Sequence, residues 1–277
     1  MKKLTIIGAG SMAEALISGL TKSTLIDNKN IWVTNNRNEK RLHFLHQQYS
    51  VSVSYQMKEL LNEAEVIILA MKPKDIASAL NKLKPYLTSN VLLISVVAGV
   101  SVKSIEALTE QQLAVVRAMP NTSAMIGKAA TALTLNNYVT EVQTALAQNI
   151  FQTVGMTKIV TEEQLDAVTG LSGSGPAYIY YLVEAMEKSA LEIGLDNQLA
   201  TELIVQTLVG AAAMLTVSPK TPEQLRKEVT SPGGTTEAGL KILQAHQVQE
   251  AFVQCIKAAT ARSKAMGDEI TARLETT

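Results

Sequence analysis

"LTIIGAGSMAEALISGL", Leu4 to Leu20, is the stretch whose reading decides the fold. Its first residues are apolar and β-branched without alternation, the pattern of a strand buried on both faces. They give way to Gly8-Ala9-Gly10-Ser11-Met12-Ala13, a GxGxxA turn, and then to helical spacing. Gly8 allows a tight turn, Gly10 has no side chain to block a pyrophosphate, and Ala13 lets the helix lie close to the sheet. The unpaired N–H groups of the helix start then face the phosphates. The stretch therefore predicts a dinucleotide site at the first strand of an α/β domain.

Outward from it, "IWVTNN", "EVIILAMKP", "NVLLISVVAGV" and "LAVVRAMPNT" are short runs of the same kind, each closed by turn or small residues. Helical patterns such as "MAEALISGLTKS" and "KDIASALNKLKPYL" lie between them. "ATALTLN", a helix near residues 140–153 and "MTKIV" complete the series. Strand alternating with helix predicts a doubly wound, mainly parallel Rossmann domain over residues 1–161. Strand signals then vanish, and residues 162–277 read as an all-helical domain. The stretch from Leu199 to Leu215 is apolar nearly all round, so something must cover it on every side. A second subunit and a central position within its own domain both meet that need; dimerisation is the preferred reading.

The 25 basic and 25 acidic side chains of the 277-residue chain cancel, which removes any general attraction to nucleic acid or anionic membrane. Cys255 is the single cysteine and forms no intrachain disulfide, as in a reducing compartment. His43, His46 and His246 have no metal-like arrangement with acidic partners and read as surface or packing residues. The N-terminal apolar run breaks at Gly8, too early for a signal peptide. "LIVQTLVGAAAMLTV", Leu203 to Val217, contains Gln206 and is shorter than a membrane span, so a buried helix is expected. These readings predict a soluble, cytoplasmic protein.

The second strand ends in Asn35-Asn36-Arg37. An NAD site usually has an acid near this point for the ribose 2′-hydroxyl, whereas a 2′-phosphate needs a cation. The missing acid and the fixed charge of Arg37 favour NADPH, with NADH as the alternative donor. "LAMKP" and "VVAGV" end later strands at the same sheet edge, where Lys72 either reaches a ribose or phosphate or lies in solvent. Ala98 and Gly99 leave room there for a flat ring. Two glycine-rich interruptions are expected in the helical half, "LSGSGPAY" (Leu171–Tyr178) and "TSPGGTTEAG" (Thr230–Gly239). The second opens a helix near Thr235, and its free N–H groups, with the hydroxyls of Ser231, Thr235 and Thr236, suit a carboxylate. Ordinary helix capping is the competing explanation.

At these residues the chain resembles the Δ1-pyrroline-5-carboxylate reductase family. The likeness spans essentially the whole chain, through "GAGSMAEAL", "LAMKP", "VVAGV", "RAMPNT", "LSGSGPAY" and above all "VTSPGGTTEAG". It implies a Rossmann domain and a helical domain that interlocks with its twin as a homodimer, assembling further into decamers in some members. It implies reduction of pyrroline-5-carboxylate to L-proline by NAD(P)H. Carried onto matching positions, it places cofactor on Gly8, Gly10, Ser11, Met12, Asn36, Arg37, Ala70, Lys72, Pro73 and Ala98. It places the substrate carboxylate on Ser231, Gly233, Gly234 and Thr235, and directs the Thr236 hydroxyl at the ring nitrogen. Ser11 stands where the family commonly has Asn. Met57 stands where many members have an Asn that touches cofactor, which puts that contact in question. The rival readings are a related imine or β-hydroxyacid dehydrogenase, with Lys188 or Lys241 as its lysine, and a dinucleotide-binding regulator without catalysis.

Overall fold

Eight strands form one sheet in the computed structural model, which describes residues 1–275. They are β1 (Leu4–Ile7), β2 (Ile31–Thr34), β3 (Ser52–Val53), β4 (Val66–Leu69), β5 (Leu92–Ser95), β6 (Ala114–Met119), β7 (Ala129–Leu135) and β8 (Gly155–Ile159). Their order is 3-2-1-4-5-6-7-8, and every neighbouring pair is parallel except antiparallel β6 and β7. The doubly wound, mainly parallel fold expected from the sequence is the one observed. Strand order reverses between β1 and β4, and that switch point leaves a crevice at the carboxyl ends of the strands.

The period of two along the strands divides the core between the sheet's faces. Leu4, Ile6, Ile68, Ile94 and Val116 share one buried cluster with residues of α1 (Ser11–Thr21), α2 (Glu39–Tyr49) and α6 (Glu141–Gln152). Ile7, Ile67, Leu69, Leu93 and Val115 share the other with α3 (Met57–Leu61), α4 (Ile76–Leu83) and α5 (Val102–Thr109). Such strands have no solvent face, which is why their sequences do not alternate.

The chain divides into two units, one comprising Met1–Ser174 with the chain from Lys257 onward, the other Gly175–Ile256. In the first, α7 (Leu165–Val168) runs into a π-helical turn, Thr169–Gly173. The Ser174 N–H reaches back to the Thr169 carbonyl at 2.9 Å. The first expected interruption, "LSGSGPAY", is thus no loop: small residues there accommodate a widened turn, and α8 (Gly175–Glu192) follows directly.

The second unit contains α8, α9 (Asn197–Val217), α10 (Pro222–Glu228), α11 (Thr235–Ala245) and the start of α12 (Val248–Glu275). Its buried core is small: Ala190, Ala200 and Ile204, with Val183 and Leu208 packed against them. The expectation that α9 is buried fails for the single chain, where Leu203, Val205, Val209, Met214 and Leu215 are about half exposed. A central position within its own domain is thereby ruled out. Asp196 accepts from the Leu199 N–H and starts the helix well before the apolar stretch. The resulting 21 residues are long and apolar enough to cross a membrane by length and composition, contrary to the reading of the shorter stretch.

Candidate functional site

Gly8 closes β1 at the switch point with φ +124°, a conformation that favours glycine. Its N–H donates to the Thr34 carbonyl at 2.8 Å, and the Ala70 N–H donates to the Ile7 carbonyl at 2.9 Å. The ends of β1, β2 and β4 are therefore fastened together around it. A Cβ on Gly8 would lie 2.3 Å from the Ala70 oxygen, whereas one on Gly10 would meet no atom within 4 Å. Gly8 is small because the backbone behind it is close, and Gly10 because the space before it is open. Gly10 is also the N-cap of α1 with no side-chain cap, so the first amides of the helix face that space.

The space belongs to a cleft of about 570 Å³ lined by Gly8, Gly10, Ser11, Met12, Asn36, Ala70 and Lys72, all expected from the sequence. Met57, the first residue of α3, lines it too, with Tyr55 and Ser78. Arg37 lines an adjoining cleft of about 670 Å³ with Ala9, Gly10, Asn36, Lys40 and Arg41. Pro73 opens a 3₁₀ turn after β4, and Ala98 precedes Gly99 in the turn after β5; neither lines these two clefts. A bare glycine turn, an uncapped helix start and adjoining basic residues fit a dinucleotide with an anionic adenosine end.

The loop after β2 is rigidly tied, which its sequence did not disclose. Asn35 Oδ1 accepts from the Asn38 N–H at 2.8 Å and from the Tyr55 hydroxyl at 3.0 Å, and Asn35 Nδ2 donates to the Asn38 carbonyl. Asn38 Oδ1 in turn caps α2 through the Arg41 N–H. Arg41 donates from Nε to the Ala9 carbonyl at 2.8 Å and from Nη2 to Glu14 Oε2 at 2.5 Å. The Tyr49 hydroxyl donates to the other Glu14 oxygen at 3.1 Å. Burial, then the hydrogen bond and charge of Glu14, push the Tyr49 phenol up from its ordinary value, which keeps it the donor. The available signal was a second arginine, Arg41, in the first turn of the helix that follows Arg37.

Two other motifs meet in this unit. Asn121 Nδ2, in "RAMPNT", donates to the Ser172 carbonyl at 3.0 Å, and a Cβ on Gly173 would come 2.7 Å from Met119 Cε. Ser172 and Gly173 of "LSGSGPAY" are thus fixed against the end of β6. From α12, Ser263 donates to Asp166 at 2.6 Å, and Ile270 packs beneath Gly99.

In the second unit, Ser231 to Thr236 form a turn into α11. Gly233 has φ +71°, and the Gly234 N–H donates to the Ser231 carbonyl at 3.0 Å. The Gly233 N–H donates to Glu237 Oε2 at 2.8 Å, and Lys241 lies 3.4 Å from the same carboxylate. Glu237 was not anticipated, and it already occupies one of the amides expected to hold an anion. Thr235 and Thr236 open α11 and are exposed, so their N–H groups and hydroxyls are what the turn offers. Among the described residues, no cluster of three or more His, Cys, Asp or Glu side chains is placed to hold a metal.

The family described as pyrroline-5-carboxylate reductase dimerisation matches residues 162–266. The family described as NADP oxidoreductase, coenzyme F420-dependent, matches residues 3–99. The chain is 45% identical to pyrroline-5-carboxylate reductase 2 of Bacillus subtilis (strain 168) over 95% of its own length and 94% of the relative's. It superposes with a TM-score of 0.88 and 36% identity on a pyrroline-5-carboxylate reductase from Coxiella burnetii, covering 96% of this chain and 98% of that one. A Plasmodium falciparum pyrroline carboxylate reductase with NADP bound gives 0.87 and 29%, again covering 96% and 98%.

Proposed function

The chain belongs to the pyrroline-5-carboxylate reductase family, and from that membership we infer the reaction: reduction of pyrroline-5-carboxylate to L-proline with NAD(P)H, the last step of proline synthesis. What carries the reading is that the likeness runs through both the sheet and the helical region, with the Ser231–Thr236 turn intact.

Gly8, Gly10, Ser11 and Met12 hold the pyrophosphate region of the cofactor, and Asn36 and Arg37 its adenosine end. Ala70, Lys72, Pro73 and Ala98 border the remainder. When bound, the reduced nicotinamide supplies the hydride that adds to the imine carbon. The chain's own contribution is position. Ser231, Gly233, Gly234 and Thr235 form the turn that holds the substrate carboxylate, chiefly through the first amides of α11, the Gly233 amide being taken by Glu237. The Thr236 hydroxyl hydrogen-bonds the ring nitrogen and orients it; a threonine is too weak an acid to protonate it outright. An imine that arrives protonated needs only the hydride to become the secondary amine. Holding the reacting atoms in register supplies most of the acceleration.

Residues 162–277 act in substrate binding and dimerisation and residues 1–161 in holding the dinucleotide, although the compact units divide elsewhere, 162–174 and the chain from Lys257 packing in the first. Self-association follows from the dimerisation match and from an α9 that the single chain leaves bare. We place the chain in a homodimer, with a decamer built of five dimers as the larger assembly, in the cytoplasm. Val209, 56% exposed on α9, is a point to test the dimer. Val209→Glu puts a charge where apolar surface must be covered, and a monomer by sedimentation or light scattering is expected. An unchanged dimer places the interface elsewhere. The reaction itself is tested by following nicotinamide absorbance with purified protein, pyrroline-5-carboxylate and NADPH or NADH in turn; no substrate-dependent oxidation of either cofactor refutes the assignment.

A further inference from the structure

We propose that Arg41 is a specificity-determining residue for the cofactor's 2′-phosphate, and that Glu14, paired with it, is an acid whose charge Arg41 masks. This rests on the NADPH-using reductase reading. Arg41 lines the cleft that also holds Arg37, Asn36 and Lys40. A guanidinium has five N–H donors in a fixed fork. Arg41 commits one to the Ala9 carbonyl and one to Glu14, so the remainder of the fork is available to a phosphate at the cleft. The Ala9 bond anchors the cation to the glycine turn itself, which fixes its distance from whatever that turn binds.

Glu14 completes the argument. An acid near the adenosine ribose is the usual mark of an NAD site, and the end of β2 has none. Glu14 on α1 lines neither cleft but lies against Arg41, which takes one of its oxygens while Tyr49 takes the other. Its side chain is 16% exposed and Arg41's 26%, so the pair is only partly screened by water. Arg41 thus contributes twice to phosphate selection, by its own donors and by cancelling a carboxylate that would repel the anion. Arg37 and Lys40, both exposed, outweigh the one acid that lines the cleft, the exposed Glu39.

The experiment is a double-mutant cycle read with two cofactors. Arg41→Gln is expected to lower kcat/KM for NADPH by about thirtyfold and that for NADH by less than about threefold, the loss of a charge-assisted contact made only by the phosphate. Adding Glu14→Gln to that variant is expected to restore NADPH use by about fivefold, because the exposed carboxylate is gone. Calorimetry with 2′,5′-ADP and 5′-AMP reads the same selectivity without catalysis: Arg41→Gln should weaken only the first. If Arg41 merely staples α2 to the glycine turn, both cofactors and both nucleotides suffer equally and the double variant is no better than the single one. Either result overturns the proposal. Wild-type protein that turns over with neither cofactor refutes the reductase reading instead, and the nucleotide titrations still decide the role of Arg41.

Discussion

Gly8→Ala is expected to destabilise the protein by about 2–5 kcal/mol and to abolish dinucleotide binding. Two costs add. A φ of +124° strains any residue with a Cβ, and that Cβ would sit 2.3 Å from the Ala70 oxygen. Relief requires the ends of β1 and β4 to part, which breaks the hydrogen bonds that fasten them. Gly10→Ala separates stability from binding. Gly10 has φ −78° and open space around it, so the fold should be unaffected while the pyrophosphate position is filled. Thermal unfolding with and without NADPH checks both: a lowered midpoint for the first variant, an unchanged midpoint without ligand stabilisation for the second. A stable Gly8→Ala protein that binds NADPH would contradict the packing at the switch point.

The second large effect is on chemistry. Thr236→Ala should lower kcat by roughly tenfold to a hundredfold, the worth of about 1.5–3 kcal/mol for a hydrogen bond to a charged partner. The residue is the second of α11 and exposed, so its loss removes little packing. Thr236→Ser keeps the hydroxyl and should retain most activity. If Thr236 only shaped the helix start, Ser and Ala would behave alike and KM would move more than kcat. A fully active Thr236→Ala enzyme removes the residue from the mechanism.

What the sequence disclosed and what it withheld divide along physical lines. Strands such as Val66–Leu69 and Leu92–Ser95 were legible because burial on both faces leaves an unbroken apolar run. The glycine turn was legible because its use depends on backbone space, which residue type records directly. The π-helical turn at Thr169–Gly173 was not, since the same small residues serve a break or a widened turn. Arg41 was missed because its importance comes from Glu14, 27 positions away, and exists only once α1 and α2 are side by side. Glu237 was nearer to hand: a carboxylate one helical turn past Gly233 is well placed to take its amide. The identity of the substrate and the role of the Thr236 hydroxyl came from family likeness, not from any periodicity.

The bare surface of α9 has a consequence beyond assembly. Apolar side chains from Leu203 to Leu215 that water meets directly make the isolated subunit a poor end state for folding, so in the proposed homodimer completion of the fold and pairing become one event. Stability is then a function of how much chain is present. Dilution should act as a denaturant, and the thermal midpoint should climb with protein concentration at fixed buffer, as mass action requires of a subunit that is finished only by its twin.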